Sequence, residues 1–302
     1  MKIAVTGGTG FVGSQLTDQL VKAGHDIYIL TRSPEKHENQ ERVTYVGWLK
    51  DEYQPENHLP ALDAIVNLAG QSLNSGRWTE ERKQSILESR IKATEGVLTL
   101  IDRLPQPPEV LVNASAVGFY GSSHTKTFTE ETTEPGNDFL ADVTVRWENL
   151  ASQAADKGVR TVYVRFGIIL GEQGALPKMI LPYKCMIGGN LGSGEQWMSW
   201  IHIRDVVGLL TFALHHKDTQ GPLNATAPNP IRNKDFGRTL AEVMNRPHWL
   251  PAPSFALKAA LGDMSTLLLD GQSVLPKKAL SAGYEFEYPE LKAALTSILK
   301  ER

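Results

Sequence analysis

Between the first apolar segment of the chain and its first amphipathic one lies Thr6-Gly7-Gly8-Thr9-Gly10-Phe11-Val12-Gly13, spaced T-G-x-x-G-x-x-G. The preceding Lys2–Thr6 reads as a buried strand and the following Val12–Lys22 as a helix, so the glycines fall at a strand-to-helix turn. Gly7 turns the chain off the strand, Gly10 admits close approach of a ligand to the backbone, and Gly13 lets the helix pack tightly on the sheet. A helix N-terminus adds unpaired N–H groups and about half a positive charge, which together suit a phosphate. In this context the spacing is that of a dinucleotide site, with Gly7, Thr9, Gly10, Phe11, Val12 and Gly13 as its candidate binding residues.

The end of the second strand selects the dinucleotide. NAD sites usually place a carboxylate there for the adenosine ribose, and an arginine accommodates a 2′-phosphate instead. The chain reads Tyr28-Ile29-Leu30-Thr31-Arg32-Ser33, with no carboxylate before Glu35. Arg32 offers a bidentate phosphate contact and Ser33 a hydroxyl, beside Thr31. A charge-assisted bond contributes roughly 1.5–3 kcal/mol, or about 10- to 100-fold in affinity. NADP is therefore the expected cofactor.

Alternation continues for about the first 170 residues. Strands are expected at Lys2–Thr6, Asp26–Thr31, Val43–Val46, Ala64–Asn67, Val110–Ala114 and Thr161–Phe166, with helices at Val12–Lys22, Thr79–Ile101 and Asp138–Lys157. Crossover helices between such strands imply a mostly parallel sheet covered on both faces. The fold class expected is α/β, a Rossmann-like doubly wound parallel sheet with a smaller, mostly helical C-terminal substrate region. The division expected is 1–170 for the cofactor domain and 171–302 for the covering region. That region begins with a glycine- and proline-rich irregular segment, followed by helices near Arg204–His215, Asn233–Met244, Ser254–Leu261 and Glu290–Leu299.

Composition narrows the partners. Of 302 residues, 41% are hydrophobic and 22% charged, ordinary values for a globular chain, and 31 Lys+Arg against 34 Asp+Glu give a net charge of −3. That balance offers no footprint for nucleic acid. No apolar run approaches a membrane span, and no signal-like leader is evident, so a cytoplasmic location is expected. Cys185 is the single cysteine, so no intramolecular disulfide or Cys-based zinc cluster can form, and no metal is expected. A small-molecule substrate is the expected partner; the oligomeric state stays open, a homodimer being one option.

Further motifs carry a resemblance. Asn67-Leu68-Ala69-Gly70, Asn113-Ala114-Ser115-Ala116-Val117-Gly118-Phe119-Tyr120-Gly121 and Trp200-Ile201-His202-Ile203-Arg204-Asp205-Val206, together with the glycine turn, resemble the extended and atypical short-chain dehydrogenases/reductases. Gly76-Arg77-Trp78, Ser89-Arg90, Gly174-Ala175-Leu176-Pro177-Lys178-Met179 and the run from Gly192 to His202 make the chain more closely similar to the NAD(P)-dependent epimerase/dehydratase branch termed epimerase family protein, subfamily 39U. The stretch from about Trp249 resembles that branch's small helical extension. The resemblance covers essentially the whole chain and adds Leu68, Ala69 and Gly70 to the cofactor-binding residues.

It also exposes a gap. Catalytic short-chain dehydrogenases use a serine and a Tyr-x-x-x-Lys pair, in which the lysine charge lowers the tyrosine pKa for proton transfer. Anchoring on Glu148 puts Leu140 at the tyrosine place and Thr144 at the lysine place. Ser115 stands at the serine place if Phe119 is aligned with the family's Tyr-Gly; aligning Tyr120 there puts Ala116 in its stead. Ser115, Tyr120 and Lys178 are the catalytic candidates, Ser115 to polarise the substrate oxygen and the other two as substitute proton or oxyanion groups. Gln196, Trp197, Ser199, Trp200 and His202 form a polar-aromatic run suited to a small ligand, with core packing as the competing reading for the tryptophans. Arg77 and Arg90 are candidates for a phosphate-bearing substrate, with an ion pair to Glu95 or Asp205 as the competing reading for Arg90. Two functions follow: an NADP-dependent oxidoreductase or epimerase on a small polar substrate, such as a sugar nucleotide, or an NADP(H)-binding sensor that has lost catalysis.

Overall fold

A computed structural model describes residues 1–300. Seven parallel strands make the central sheet: β1 (Lys2–Thr6), β2 (Asp26–Thr31), β3 (Val43–Gly47), β4 (Ala64–Asn67), β5 (Val110–Ala116), β6 (Arg160–Phe166) and β7 (Gly221–Ala225). Their spatial order is β7-β6-β5-β4-β1-β2-β3. The order reverses between β1 and β4, and at such a switch point the crossovers leave a crevice beyond the carboxyl ends of the strands. Register lines up the polar ends of the central strands: Thr6 opposite Asn67, Asn67 opposite Asn113, and Ser115 opposite Arg165.

Strands buried on both faces carry Val, Ile and Ala in near-continuous runs. One face packs Ile3, Val5, Val112 and Val164 under α1 (Phe11–Lys22) and, farther along the chain, Ile203–His215. The other packs Ala4, Ile65 and Leu111 under α2 (Glu80–Arg103). Thr79 starts α2 as its sequence suggested, its Oγ1 accepting the Arg82 N–H at 3.2 Å. Helix α3 (Phe139–Ala151) begins on Asp138, whose carboxylate accepts the Ala141 N–H at 2.9 Å. The helix expected to run on to Lys157 ends at Ala151 and continues as a 3-10 turn over 152–157.

The chain returns to the sheet after residue 170. Helix Ile203–His215 lies against α1 on the same core, and β7 extends the sheet beside β6. Residue 170 is therefore not the edge of the sheet. The covering region is built from Leu176–Lys184, Asn233–Met244 and Leu291–Leu299, which close over Trp200 and Phe236 in a core of their own. It is stitched to the sheet by Asn224 and Thr226, whose side chains donate to the carbonyls of Leu275 and Val274 at 3.0 and 3.2 Å. Among the described residues no helix is long and apolar enough to cross a membrane.

Candidate functional site

Polar side chains at the ends of β1, β4 and β5 form a buried row. Thr6 Oγ1 donates to Asn67 Oδ1 at 2.6 Å and accepts the N–H groups of Leu68 and Ala69, both at 3.1 Å. Asn67 Nδ2 donates to Asn113 Oδ1 at 2.7 Å and to Thr94 Oγ1 at 3.2 Å. Buried polar groups need such partners, and here the partners fix the Leu68-Ala69-Gly70 segment beside the glycine turn. Gly7 sits at φ +67°, and a Cβ on it would stand 2.9 Å from the Leu68 carbonyl carbon, so only glycine fits the junction. A Cβ on Gly13 would overlap the Gly7 carbonyl oxygen.

The turn fits a dinucleotide phosphate. Gly10 precedes α1 with no side-chain cap, and among the described residues the N–H groups of Phe11, Val12 and Gly13 make no backbone hydrogen bond. The Phe11 ring points away, packed into the open space of Gly171 and Gly174. Thr9 and Arg32 are exposed and Thr31 and Ser33 half-buried, the last three at the C-terminal end of β2, where a 2′-phosphate would lie.

A cavity of about 630 Å³ opens beside this turn and is walled by Val12, Leu68 and Gly70, the end of β5, the start of α3, and the segment 263–272. Ser115 lines it. Its Oγ donates to Glu148 Oε1 at 2.5 Å, and Arg165 clamps the same carboxylate, Nε to Oε1 at 2.8 Å and Nη2 to Oε2 at 2.7 Å. All three residues are buried. Burial alone would weaken the Arg165 proton affinity, but Glu148 outweighs it and the guanidinium is shifted upward. With its hydrogen committed to Glu148, Ser115 presents acceptor lone pairs to whatever enters the cavity.

Leu140 and Thr144 both line this cavity. Thr144 turns its hydroxyl back on its own helix, donating to the carbonyls of Leu140 and Ala141 at 3.0 and 2.9 Å. The two places expected to hold a tyrosine and a lysine thus form an apolar wall.

The other candidates fall elsewhere. Tyr120 is outside the cavity wall, buried under Phe128 and donating to Asn224 Oδ1 at 2.8 Å; burial raises its pKa. Lys178 also lies off the wall and ties down the loop before α2, Nζ donating to the Asn74 carbonyl at 2.5 Å. Neither lines the cavity that Ser115 lines, although Tyr120 touches Arg165, whose Cζ lies 5.0 Å from its ring centroid. Arg77 caps the C-terminal carbonyls of helix Ser254–Leu261, at Ala259 and Ala260. Of the polar-aromatic run, Trp197 and Ser199 reach the cavity, and Trp200 is core. Ser199 is spent on Gln272 and Val274, and Gln196 Nε2 donates to the carbonyls of Leu191 and Leu268. His202 accepts the Arg204 N–H at 3.1 Å and is held neutral, burial and Arg204 lowering its pKa to about 4. Among the described residues no cluster of three metal-ligating side chains occurs.

Sequence reasoning missed the partnership of Glu148 and Arg165. One signal existed: an arginine amid the valines of a strand expected to be buried requires a counter-charge.

The sequence profile of the NAD dependent epimerase/dehydratase family matches residues 3–225. The chain belongs to this family. A second profile, Domain of unknown function (DUF1731), matches residues 252–298. This epimerase-family chain is 49% identical over 302 residues to "Epimerase family protein YfhF" of Bacillus subtilis, covering 100% of this chain and 99% of that one. It is 44% identical over 301 residues to "Epimerase family protein SA0724" of Staphylococcus aureus, covering 98% of both. Among solved structures it resembles human epimerase family protein SDR39U1 (isoform 2), crystallised with NADPH, with TM-score 0.87, 33% identity and 100% of each chain covered. A nucleoside-diphosphate sugar epimerase from Corynebacterium glutamicum superposes with TM-score 0.78 and 30% identity, over 100% of this chain and 59% of that one.

Proposed function

We propose that this epimerase-family chain is an NADP(H)-dependent oxidoreductase or epimerase acting on a hydroxyl or carbonyl of a small polar substrate, such as a sugar nucleotide. The observation that carries the reading is Ser115 in the cavity wall beside the glycine turn, backed by Glu148 and Arg165. The human relative crystallised with NADPH and the Arg32 position support the choice of cofactor.

When bound, NADP(H) supplies or accepts the hydride, and this chain manages the proton. In the oxidising direction the substrate hydroxyl donates to Ser115 Oγ. As its carbon gives up hydride, the hydroxyl proton passes to Ser115 Oγ while the Ser115 proton passes to Glu148 Oε1. The carbonyl product leaves and reduction runs the same path backward. Arg165 positions the carboxylate through its two hydrogen bonds. General acid–base groups contribute about 10²- to 10⁴-fold, so a relay of this kind would replace much of what Tyr-x-x-x-Lys supplies elsewhere.

The apolar wall at Leu140 and Thr144 favours a second reading, an NADP(H)-binding sensor without chemistry. Stereospecifically deuterated NADPH incubated with a sugar-nucleotide and carbonyl panel separates the two. Deuterium appearing in a product, and lost in Ser115→Ala, is the expected result. Tight NADPH binding without transfer across the panel would favour the sensor.

A further inference from the structure

Arg90 is a cation in the cavity with no ion-pair partner among the described residues. It stands on α2, half-buried, and lines the cavity wall. Its Cζ lies 5.1 Å from the Trp147 ring centroid, in cation–π range, and its side chain runs along the open face of Gly70. Nη1 is spent on two backbone carbonyls, Gln71 at 3.2 Å and Ile86 at 2.9 Å. Nε and Nη2 make no hydrogen bond among the described residues, and the guanidinium forms no ion pair among them. Burial and the neighbouring Arg82 lower its pKa to about 10, so it remains charged at neutral pH. The other cation of the wall, Lys83, is already paired with Asp263 at 2.7 Å and Glu80 at 2.9 Å.

We infer that the Nε/Nη2 edge of Arg90 binds an oxyanion of the substrate, a carboxylate or a phosphate, and so fixes which end of the substrate faces Ser115. Two adjacent N–H groups in one plane match the two oxygens of such a group side-on. The Trp147 face and Gly70 hold the guanidinium in place, so little side-chain freedom is lost when the anion arrives. The cofactor's own pyrophosphate has a separate cradle at the start of α1, after β1, whereas Arg90 stands on α2, its guanidinium against Trp147 of α3 and beside Gly70 after β4. The anion is therefore assigned to the substrate. This assignment rests on the proposed function and names the substrate class: a small anionic hydroxyl or carbonyl compound.

The test titrates oxalate and inorganic phosphate into the full chain, with and without saturating NADPH, following tryptophan fluorescence from Trp147 and Trp78 in the cavity wall. At least one oxyanion should bind the wild type, Arg90→Gln should lose at least tenfold in that affinity, and Arg90→Lys should fall between. NADPH affinity should stay within twofold in both variants, and an unchanged thermal transition shows that they fold. The inference is overturned if neither oxyanion binds the wild type, if Arg90→Gln binds it equally well, or if NADPH affinity itself falls tenfold. The titration without NADPH separates the two proposals. A wild type that binds the oxyanion through Arg90 but not NADPH defeats the cofactor reading alone.

Discussion

Ser115 cannot donate to a substrate oxygen and to Glu148 with the same hydrogen, and its Oγ donates to Glu148 Oε1 at 2.5 Å. The side chain is thus arranged to accept from an alcohol. Glu148→Gln should reduce deuterium transfer from labelled NADPH at least tenfold while leaving the NADPH dissociation constant unchanged; full transfer in that variant would eliminate the relay. Glu148→Ala is expected to do more, because it strands the buried Arg165 charge at a cost of about 3–5 kcal/mol, measurable as a lower urea midpoint. Arg32 makes the complementary case at the cofactor. Arg32→Asp should weaken NADPH binding at least tenfold more than NADH binding, and equal losses would remove the 2′-phosphate role. His202 sets a pH dependence of stability. Its folded value, about 4, lies below its ordinary 6.5, so the unfolded chain takes up the proton first as pH falls. This contribution is complete above about pH 6.5 and is lost on acidification toward pH 4. At pH 5 the loss is about 2 kcal/mol. His202→Asn, which keeps an acceptor for the Arg204 N–H, should flatten that part of the urea-midpoint profile between pH 7 and 5.

At the scale of elements, the glycine turn is the least forgiving part. Gly13→Ala would gain helix propensity, about 1 kcal/mol, yet its Cβ overlaps the Gly7 carbonyl oxygen. Forcing β1 and α1 apart costs about 1–3 kcal/mol and displaces the N–H groups proposed to receive the cofactor's phosphate. A lowered melting temperature together with NADPH binding weakened at least tenfold is expected, and normal binding would show that the turn tolerates a side chain. These strands and turns were readable because burial on both faces demands Val- and Ile-rich runs with glycine at the crossing. Gly221–Ala225 was not readable: Gly221 and Pro222 argue against a strand, and an edge position is what tolerates them. Leu176–Lys184 was hidden in the same way, since Pro177 suits a first helical turn while Pro182 reads as a breaker. The site was legible as far as local sequence reaches. Ser115, Leu140 and Thr144 were singled out by the resemblance to the short-chain dehydrogenases, but the link from Ser115 to Glu148 spans 33 positions and exists only after α3 docks.

The whole molecule binds those pieces into one cooperative body. The covering region reaches into the sheet's own crevice, where Gln272 donates to the Val117 carbonyl at 2.8 Å and Ser123 to Gly271 at 2.9 Å. The sheet reaches out in turn, since β7 lies beyond residue 170 and helix Ile203–His215 completes the core over α1. Cutting the chain at 170 would therefore remove an edge strand and half of one apolar layer, leaving a fragment that should not fold. In the intact protein, calorimetry should show a single transition with an enthalpy on the order of 200 kcal/mol. NADPH at about 100 times its dissociation constant adds roughly 2.7 kcal/mol, which for a chain of this size moves the midpoint by about 4 °C. Because the cavity is walled by both the sheet and the segment 263–272, the entire peak should move together. Two resolved peaks, only one of them shifted by NADPH, would mean that the covering region melts independently and that the cavity opens before the sheet is lost.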